Sequence, residues 1–257
     1  MRGYVDCVGC EQRRLDAQRV VDFFNANEVE IVNRPQDCDV AVLVTCGVDS
    51  FSERKSLNRI ADIDRERLPS SRLLIGGCLP AICPEKLKEF NVHGMFSPRD
   101  FQLFDHVLET PRKAQSISDY ASPNTSVFDY IEDVLSTEDA DLTRRRDYDR
   151  AKNGFRIVID EGCLLNCAYC VIRYATGRLK SRPIEVIIEE FRHGLDLHQP
   201  TLMLMGGDTG AYGWDTGAHL HDLLRKLLAF DGDYHIYIHD FNINWAIKEL
   251  DAYCAVF

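Results

Sequence analysis

Phe155-Arg156-Ile157-Val158-Ile159-Asp160-Glu161-Gly162-Cys163-Leu164-Leu165-Asn166-Cys167-Ala168-Tyr169-Cys170 joins an apolar run of strand length to three cysteines spaced CxxxCxxC. Three thiolates this close on one loop can grip three irons of a [4Fe–4S] cube and leave the fourth iron open to a small molecule bearing amino and carboxylate groups. Zinc competes for such a motif, but structural zinc sites take four protein ligands, usually from paired CxxC knuckles, and no second knuckle is nearby. Working outward, Ser181 as cap and Pro183 in the first turn open a helix whose buried face is Ile184, Ile187, Ile188 and Phe191. Leu202–Met205 reads as a second strand, Leu220, Leu223, Leu224, Leu227 and Leu228 as a second helix, and Tyr234–Ile238 as a third strand. This βαβαβ order predicts parallel strands joined by crossover helices. Chemistry then collects at the C-terminal strand ends, where Cys163 and the turn Met205-Gly206-Gly207-Asp208 both fall.

The first hundred residues repeat the alternation. Tyr4-Val5 opens a strand, and Ala17, Val20, Val21 and Phe24 share one helical face. Val40–Val44 and Leu73–Ile75 are continuous apolar runs of strand length, as buried parallel strands require. The expectation is a doubly wound parallel α/β domain over residues 1–118. Cys10, Cys46 and Cys78 each lie just beyond one of its strands. Parallel strands share an edge at their C-terminal ends, so residues far apart in sequence can converge there. On spacing alone, a shared metal site competes with three separate buried cysteines. Residues 119–153 carry Asp129, Glu132, Asp133, Glu138, Asp139 and Asp141, then Arg144-Arg145-Arg146, and read as a charged connection. The second domain spans 154–257.

Composition narrows the class. The chain has 257 residues, 10 cysteines and a formal net charge of −11. That charge advertises no global affinity for nucleic acid. No apolar stretch approaches the roughly 20 residues of a bilayer span, and the start lacks a secretory signal, so a soluble cytoplasmic protein without a membrane partner is expected. Disulfides are disfavoured in that compartment, which leaves metal or redox chemistry for clustered cysteines. Cys38, Cys83 and Cys254 read as ordinary packing, and the eight histidines, His235 and His239 among them, suggest no further site.

These motifs resemble the radical S-adenosylmethionine (SAM) superfamily, in which the cysteine loop follows the first strand of a partial (β/α) barrel and carries an aromatic before its last cysteine, here Tyr169. Gly206-Gly207-Asp208 is similar to the Gly-Gly-Glu segment that meets the amino group of SAM, with Asp for Glu. Val8-Gly9-Cys10-Glu11, Asp39 through Cys46, and Ile75-Gly76-Gly77-Cys78 resemble the three cysteine segments of the methylthiotransferase family, as does the stretch from Gly162 to Pro183. The run from Asp208 to Gly217 is most similar to the branch acting on threonylcarbamoyladenosine in tRNA, and a related segment occurs in the branch that modifies a ribosomal protein. Arg13, Val44 and Ile238–Trp245 depart from the pattern, which bears on substrate more than on clusters.

The resemblance implies two [4Fe–4S] clusters, one on the catalytic Cys163, Cys167 and Cys170 and one on Cys10, Cys46 and Cys78. SAM would meet Tyr169, Gly206, Gly207, Asp208 and Arg178, with Arg182 a further candidate for SAM carboxylate or substrate phosphate. The implied activity inserts a methylthio group at an unactivated C–H of a tRNA adenosine. Alternatives are a protein or peptide side chain, or a non-catalytic cluster-binding subunit. An electron donor such as a flavodoxin or ferredoxin is implied as a partner. Family members continue for three more barrel strands, so a half-barrel truncated after the third strand is expected; a truncated chain, a split enzyme whose second subunit is a partner supplying the other half, and a degenerate relative are the alternatives the resemblance leaves.

Overall fold

Val40–Thr45 is buried at all six positions, as a parallel strand covered on both faces must be. The computed structural model describes residues 1–114 and 154–256; the charged connection expected over 119–153 lies outside them. The described residues group into two compact units, 1–114 with 168–176, and 154–167 with 177–256.

The first unit is built on a parallel sheet of order β2-β1-β3-β4-β5, with β1 Arg2–Cys7, β2 Glu30–Ile31, β3 Val40–Thr45, β4 Arg72–Gly77 and β5 Gly94–Met95. Successive side chains of a strand point to opposite faces, and the two faces have separate cores. Val5, Cys7, Val40, Val42, Val44 and Leu74 pack with Ala17, Val20 and Phe24 of helix α1, Glu11–Ala26. Tyr4, Ala41, Leu43, Leu73 and Ile75 pack with Ile60 and Ile63 of helix α2, Ser50–Glu66. Helices on both faces make this the doubly wound arrangement expected from the sequence. The short edge strands β2 and β5 were not legible there. Two short helices follow, α3 at Leu79–Ile82 and α4 at Phe104–Val107, and the segment grouped with this unit carries α5, Ile172–Thr176.

The second unit has a parallel sheet of order β10-β9-β6, with β6 Phe155–Val158, β9 Thr201–Met205 and β10 His235–Ile238. Phe155, Ile157, Leu202 and Leu204 pack against Ile187 and Phe191 of helix α6, Ile184–Asp196, and Leu220, Leu223, Leu224 and Leu227 of helix α7, Leu220–Leu227. The residues that alternate with them, Val158, Met203 and Met205, belong to the opposite face. Parallel strands with their crossover helices on one face are the repeating unit of a (β/α) barrel, here three strands of it. A small antiparallel pair, β7 Asp160–Glu161 with β8 Lys180–Ser181, closes the base of the cysteine loop. That pair corrects one expectation. Ser181 is held extended opposite Asp160, so it does not cap α6; the helix starts at Ile184 behind Pro183, and Ser181 Oγ instead accepts from the Gly213 amide at 2.8 Å. No helix among the described residues is long and apolar enough to cross a membrane.

Gly77 sets the exit of β4. Its φ is +90°, and a Cβ there would lie 2.2 Å from the Thr45 carbonyl oxygen, so both conformation and space exclude a side chain. Gly77→Ala is expected to destabilise the chain by about 1–3 kcal/mol. The readout is a lower urea midpoint with an unchanged slope; a wild-type midpoint would show that this approach constrains nothing.

Candidate functional site

Three adjacent strands of the first unit deliver three cysteines to one sheet edge. Cys46 directly follows β3, Cys78 directly follows β4, and Cys10 sits at the start of α1, three residues beyond β1. The exits are tied to each other by backbone: Val8 N donates to Val44 O at 3.0 Å, and Cys78 N to Thr45 O at 3.0 Å. Ser56 of α2 grips Cys46 at both ends, its Oγ accepting from Cys46 N at 3.1 Å and donating to Cys46 O at 2.7 Å. Cys46 and Cys78 are buried, while Cys10 retains solvent access.

Cys78 and Cys10 feel the neighbouring thiols. Burial pushes the Cys78 thiol up to about 12, the Arg13 guanidinium opposes this, and the thiols of Cys10 and Cys46 add to it. Desolvation also raises Cys10, against Arg13 and with a further push from Cys46. Arg13 is 4% exposed; its Nη1 donates to Cys78 Sγ at 3.7 Å, and its Nε lies 3.0 Å from Asp16 Oδ2. A fixed guanidinium beside Cys10 and Cys78 favours their ionised form, the form that binds metal. Arg13, a departure from the family pattern in sequence, is thus part of the cysteine edge.

In the second unit, Cys163 N donates to Gly177 O at 3.2 Å, which fastens the root of the cysteine loop. Arg178 Nη1 donates to Leu164 O at 3.3 Å, and Leu165 N to Cys163 Sγ at 3.3 Å. Cys163 Sγ lies 3.7 Å from Asp208 Oδ2, which also accepts from Trp245 Nε1 at 2.7 Å. The structure therefore brings Cys163 to the Gly206-Gly207-Asp208 turn. Cys167 and Cys170 are half-buried; Cys170 lies in the segment grouped with the first unit. Tyr169 is 88% exposed.

The turn rests on a carboxylate that the sequence reading passed over. Asp160 is fully buried, and its Oδ1 accepts from Gly207 N at 2.8 Å. A Cβ on Gly206 would stand 2.4 Å from that same oxygen, so only glycine allows the approach. Burial raises Asp160 to about 7, and burial likewise raises Asp208, with the Trp245 hydrogen bond opposing. Asp160 Oδ2 and Asp208 Oδ1 are buried and lack hydrogen-bond partners among the described residues. Unsatisfied buried acceptors require a donor, and an ammonium group suits two carboxyls. Arg182 differs from its expectation. Its Nη1 donates to Val158 O at 2.6 Å, and its guanidinium pairs with Glu190 at 2.9 and 2.6 Å, so it is an internal tie.

The fold is shared with radical SAM enzymes. The chain superposes on the radical SAM methyltransferase TsrM from Kitasatospora setae, solved with cobalamin and a [4Fe-4S] cluster, with TM-score 0.56 and 12% identity over 100% of this chain and 59% of that one. It also superposes on the cobalamin-dependent SAM radical enzyme OxsB, with TM-score 0.53 and 12% identity over 100% of this chain and 42% of that one.

The sequence is similar to methylthiotransferases over nearly its whole length. Residues 2–96 match the Uncharacterized protein family UPF0004. The probable threonylcarbamoyladenosine tRNA methylthiotransferase of Pyrococcus abyssi is 28% identical over 96% of this chain and 55% of its own length. That of Archaeoglobus fulgidus is 29% identical over 98% and 55%. The ribosomal protein uS12 methylthiotransferase RimO of Clostridium acetobutylicum is 28% identical over 88% and 49%. The chain thus spans about half the length of these relatives.

The raised Asp160 carboxyl generates a pH-dependent stability. The folded chain holds this proton more tightly than the unfolded chain, so its contribution is complete below the ordinary value of 3.8 and is lost as pH rises through about 7. Asp160→Asn keeps the acceptor for Gly207 and carries no charge. In metal-free protein its stability relative to wild type is expected to grow by about 1.4 kcal/mol per pH unit across that window and then level off. Denaturant titrations at stepped pH measure this, and a constant difference would contradict the raised value.

Proposed function

We propose that this chain carries the cluster and SAM sites of a radical SAM methylthiotransferase, with one [4Fe–4S] cluster held by Cys163, Cys167 and Cys170 and a second by Cys10, Cys46 and Cys78. The observation that carries the reading is the placement of Cys10, Cys46 and Cys78 at the C-terminal exits of three adjacent strands of one sheet. The donor chemistry fits: both sets offer free cysteines, and thiolates are the usual ligands of such clusters. When bound, clusters with an open iron supply the electron that cleaves SAM and a place from which sulfur is transferred.

The chain's own residues then have separate tasks. Arg13 offsets the negative charge of the first-unit thiolates. Asp208 Oδ1, buried and without a hydrogen-bond partner among the described residues, accepts from the SAM ammonium, while Trp245 holds the other oxygen and fixes the carboxyl plane. Gly206 and Gly207 keep the backbone against Asp160. Arg178 secures the Leu164 carbonyl, ordering the loop between Cys163 and Cys167. The exposed Tyr169 ring offers a face to bound SAM.

A tRNA adenosine is the favoured substrate, on the similarity to relatives named for threonylcarbamoyladenosine tRNA. A protein side chain is the second reading, supported by the similarity to a ribosomal protein methylthiotransferase. A flavodoxin or ferredoxin would supply electrons.

Anaerobically reconstituted protein is expected to hold about eight irons, four per cluster. Replacing Cys163, Cys167 and Cys170 with alanine should leave half the iron, and so should the same change at Cys10, Cys46 and Cys78. Iron and sulfide analysis with Mössbauer spectroscopy decides it. A folded triple variant with no residual cluster would falsify the two-cluster assignment. Incubation of the whole protein with SAM and either tRNA or a ribosomal-protein peptide, read by mass spectrometry, separates the two substrates.

A further inference from the structure

A second constellation of ligand-type side chains lies in the second unit, formed by residues that the reading above does not use. His219 immediately precedes α7, His221 is the second residue of that helix, and Glu249 stands between two short helices, Ile243–Lys248 and Leu250–Cys254. One ligand atom from each lies within 4.8 Å of the other two. Both imidazoles converge on one carboxylate oxygen: Glu249 Oε1 is 3.0 Å from His219 Nδ1 and 3.6 Å from His221 Nε2. A tetrahedral ion about 2.0–2.1 Å from its nitrogen and oxygen ligands separates them by roughly 3.4 Å, between those two distances.

Three further features fit an ion. The side chains of His219, His221 and Glu249 are only 28%, 11% and 17% exposed. His219 Nδ1 and Glu249 Oε2 are buried and make no hydrogen bond among the described residues. The far nitrogen of His221, Nδ1, lies 3.2 Å from Asp222 Oδ1 and 3.4 Å from Arg225 Nη1, which itself donates to Asp222 Oδ1 at 3.0 Å. A carboxylate on the far ring nitrogen is what fixes the tautomer and orientation of a metal-bound histidine. A simple ion pair between His219 and Glu249 would need one imidazole, whereas here His221, stacked on the His219 ring at 5.3 Å, turns its Nε2 to the same carboxylate.

We propose that His219, His221 and Glu249 bind a divalent transition-metal ion of the zinc class, with the remaining position open to water. Two imidazoles and one carboxylate suit zinc, iron or nickel, whereas calcium and magnesium favour all-oxygen shells. The ion would clip the start of α7 to the segment that carries Trp245, and so hold the indole that donates to Asp208. The proposal is independent of the cluster assignment.

The test titrates Zn²⁺ into the anaerobically reconstituted full chain against a chromophoric chelator, with zinc X-ray absorption to read the ligand shell. One zinc per chain with a nitrogen and oxygen shell is expected. His219→Ala and Glu249→Gln should each weaken binding at least tenfold, Asp222→Asn by about 10–100-fold, and His235→Ala not at all. Added zinc should raise the melting temperature of wild type but not of His219→Ala or Glu249→Gln. Metal-free melting at the wild-type temperature certifies that each variant is folded, and with two independent variants one misfolded protein does not end the test. No zinc bound, a shell containing sulfur, or wild-type affinity in a folded His219→Ala or Glu249→Gln protein overturns the proposal.

Discussion

Parallel pairing in register is the constraint from which the sites follow. In the first unit Cys7 stands opposite Val44, Val44 opposite Gly76 and Thr45 opposite Gly77, so β1, β3 and β4 run out at one level. The chain must leave the sheet three times along the same edge, and each exit carries a cysteine. The packing that fixes the register is apolar and two-sided, with Val40, Val42 and Val44 on one face and Ala41 and Leu43 on the other. A slip of one residue would exchange these sets and move the cysteines with them. In the second unit Val158 stands opposite Met205, and the residues that follow, Asp160 and Gly206-Gly207, meet beyond the strand ends.

The two edges present opposite electrostatics. The first places a nearly buried guanidinium, Arg13, among sulfurs whose thiols burial holds protonated. The second places two buried carboxyls, Asp160 and Asp208, the latter beside Cys163, each with an oxygen that has no hydrogen-bond partner among the described residues. Leaving a buried polar group unsatisfied is unfavourable by about 1–3 kcal/mol. Such sites are prepared for charge from outside, negative ligand charge at Arg13 and positive charge at the carboxyls.

The central strands and the crossover helices were legible because burial on both faces leaves continuous apolar runs, and these need no tertiary information. The two-residue strands β2 and β5, and the β7–β8 pair, are too short to leave a periodicity. Tertiary pairing makes them strands, and β8 in particular takes Ser181 away from the cap that its local sequence suggested. The cysteine loop was legible from spacing, while the meeting of Cys10, Cys46 and Cys78 needed the sheet order. Asp160, Arg13 and Trp245 were missed as site residues for one reason. Each acts through a partner distant in sequence, namely Gly207, Cys78 and Asp208. His219 and His221 likewise gain meaning only with Glu249.

Two departures from the family pattern fall on a single hydrogen bond. Aspartate replaces the expected glutamate at position 208, and the segment from Ile238 to Trp245 is the least similar in sequence. Asp208 Oδ2 accepts from Trp245 Nε1 at 2.7 Å, and the turn is tied to the same segment again by Thr209 Oγ1 donating to His239 O at 2.7 Å. Aspartate is one methylene shorter than glutamate, which draws the carboxyl back toward the turn, and the indole fills the space ahead of it. Trp245 is in turn packed by Leu179 and Ala211 and lies under Lys248, whose Nζ is 4.2 Å from its ring centroid. Each change accommodates the other: a longer side chain at 208 would meet the indole, and a residue at 245 without an N–H would cost the buried carboxyl its shortest side-chain hydrogen bond. The departures are therefore one local repacking around the carboxyl that faces Cys163.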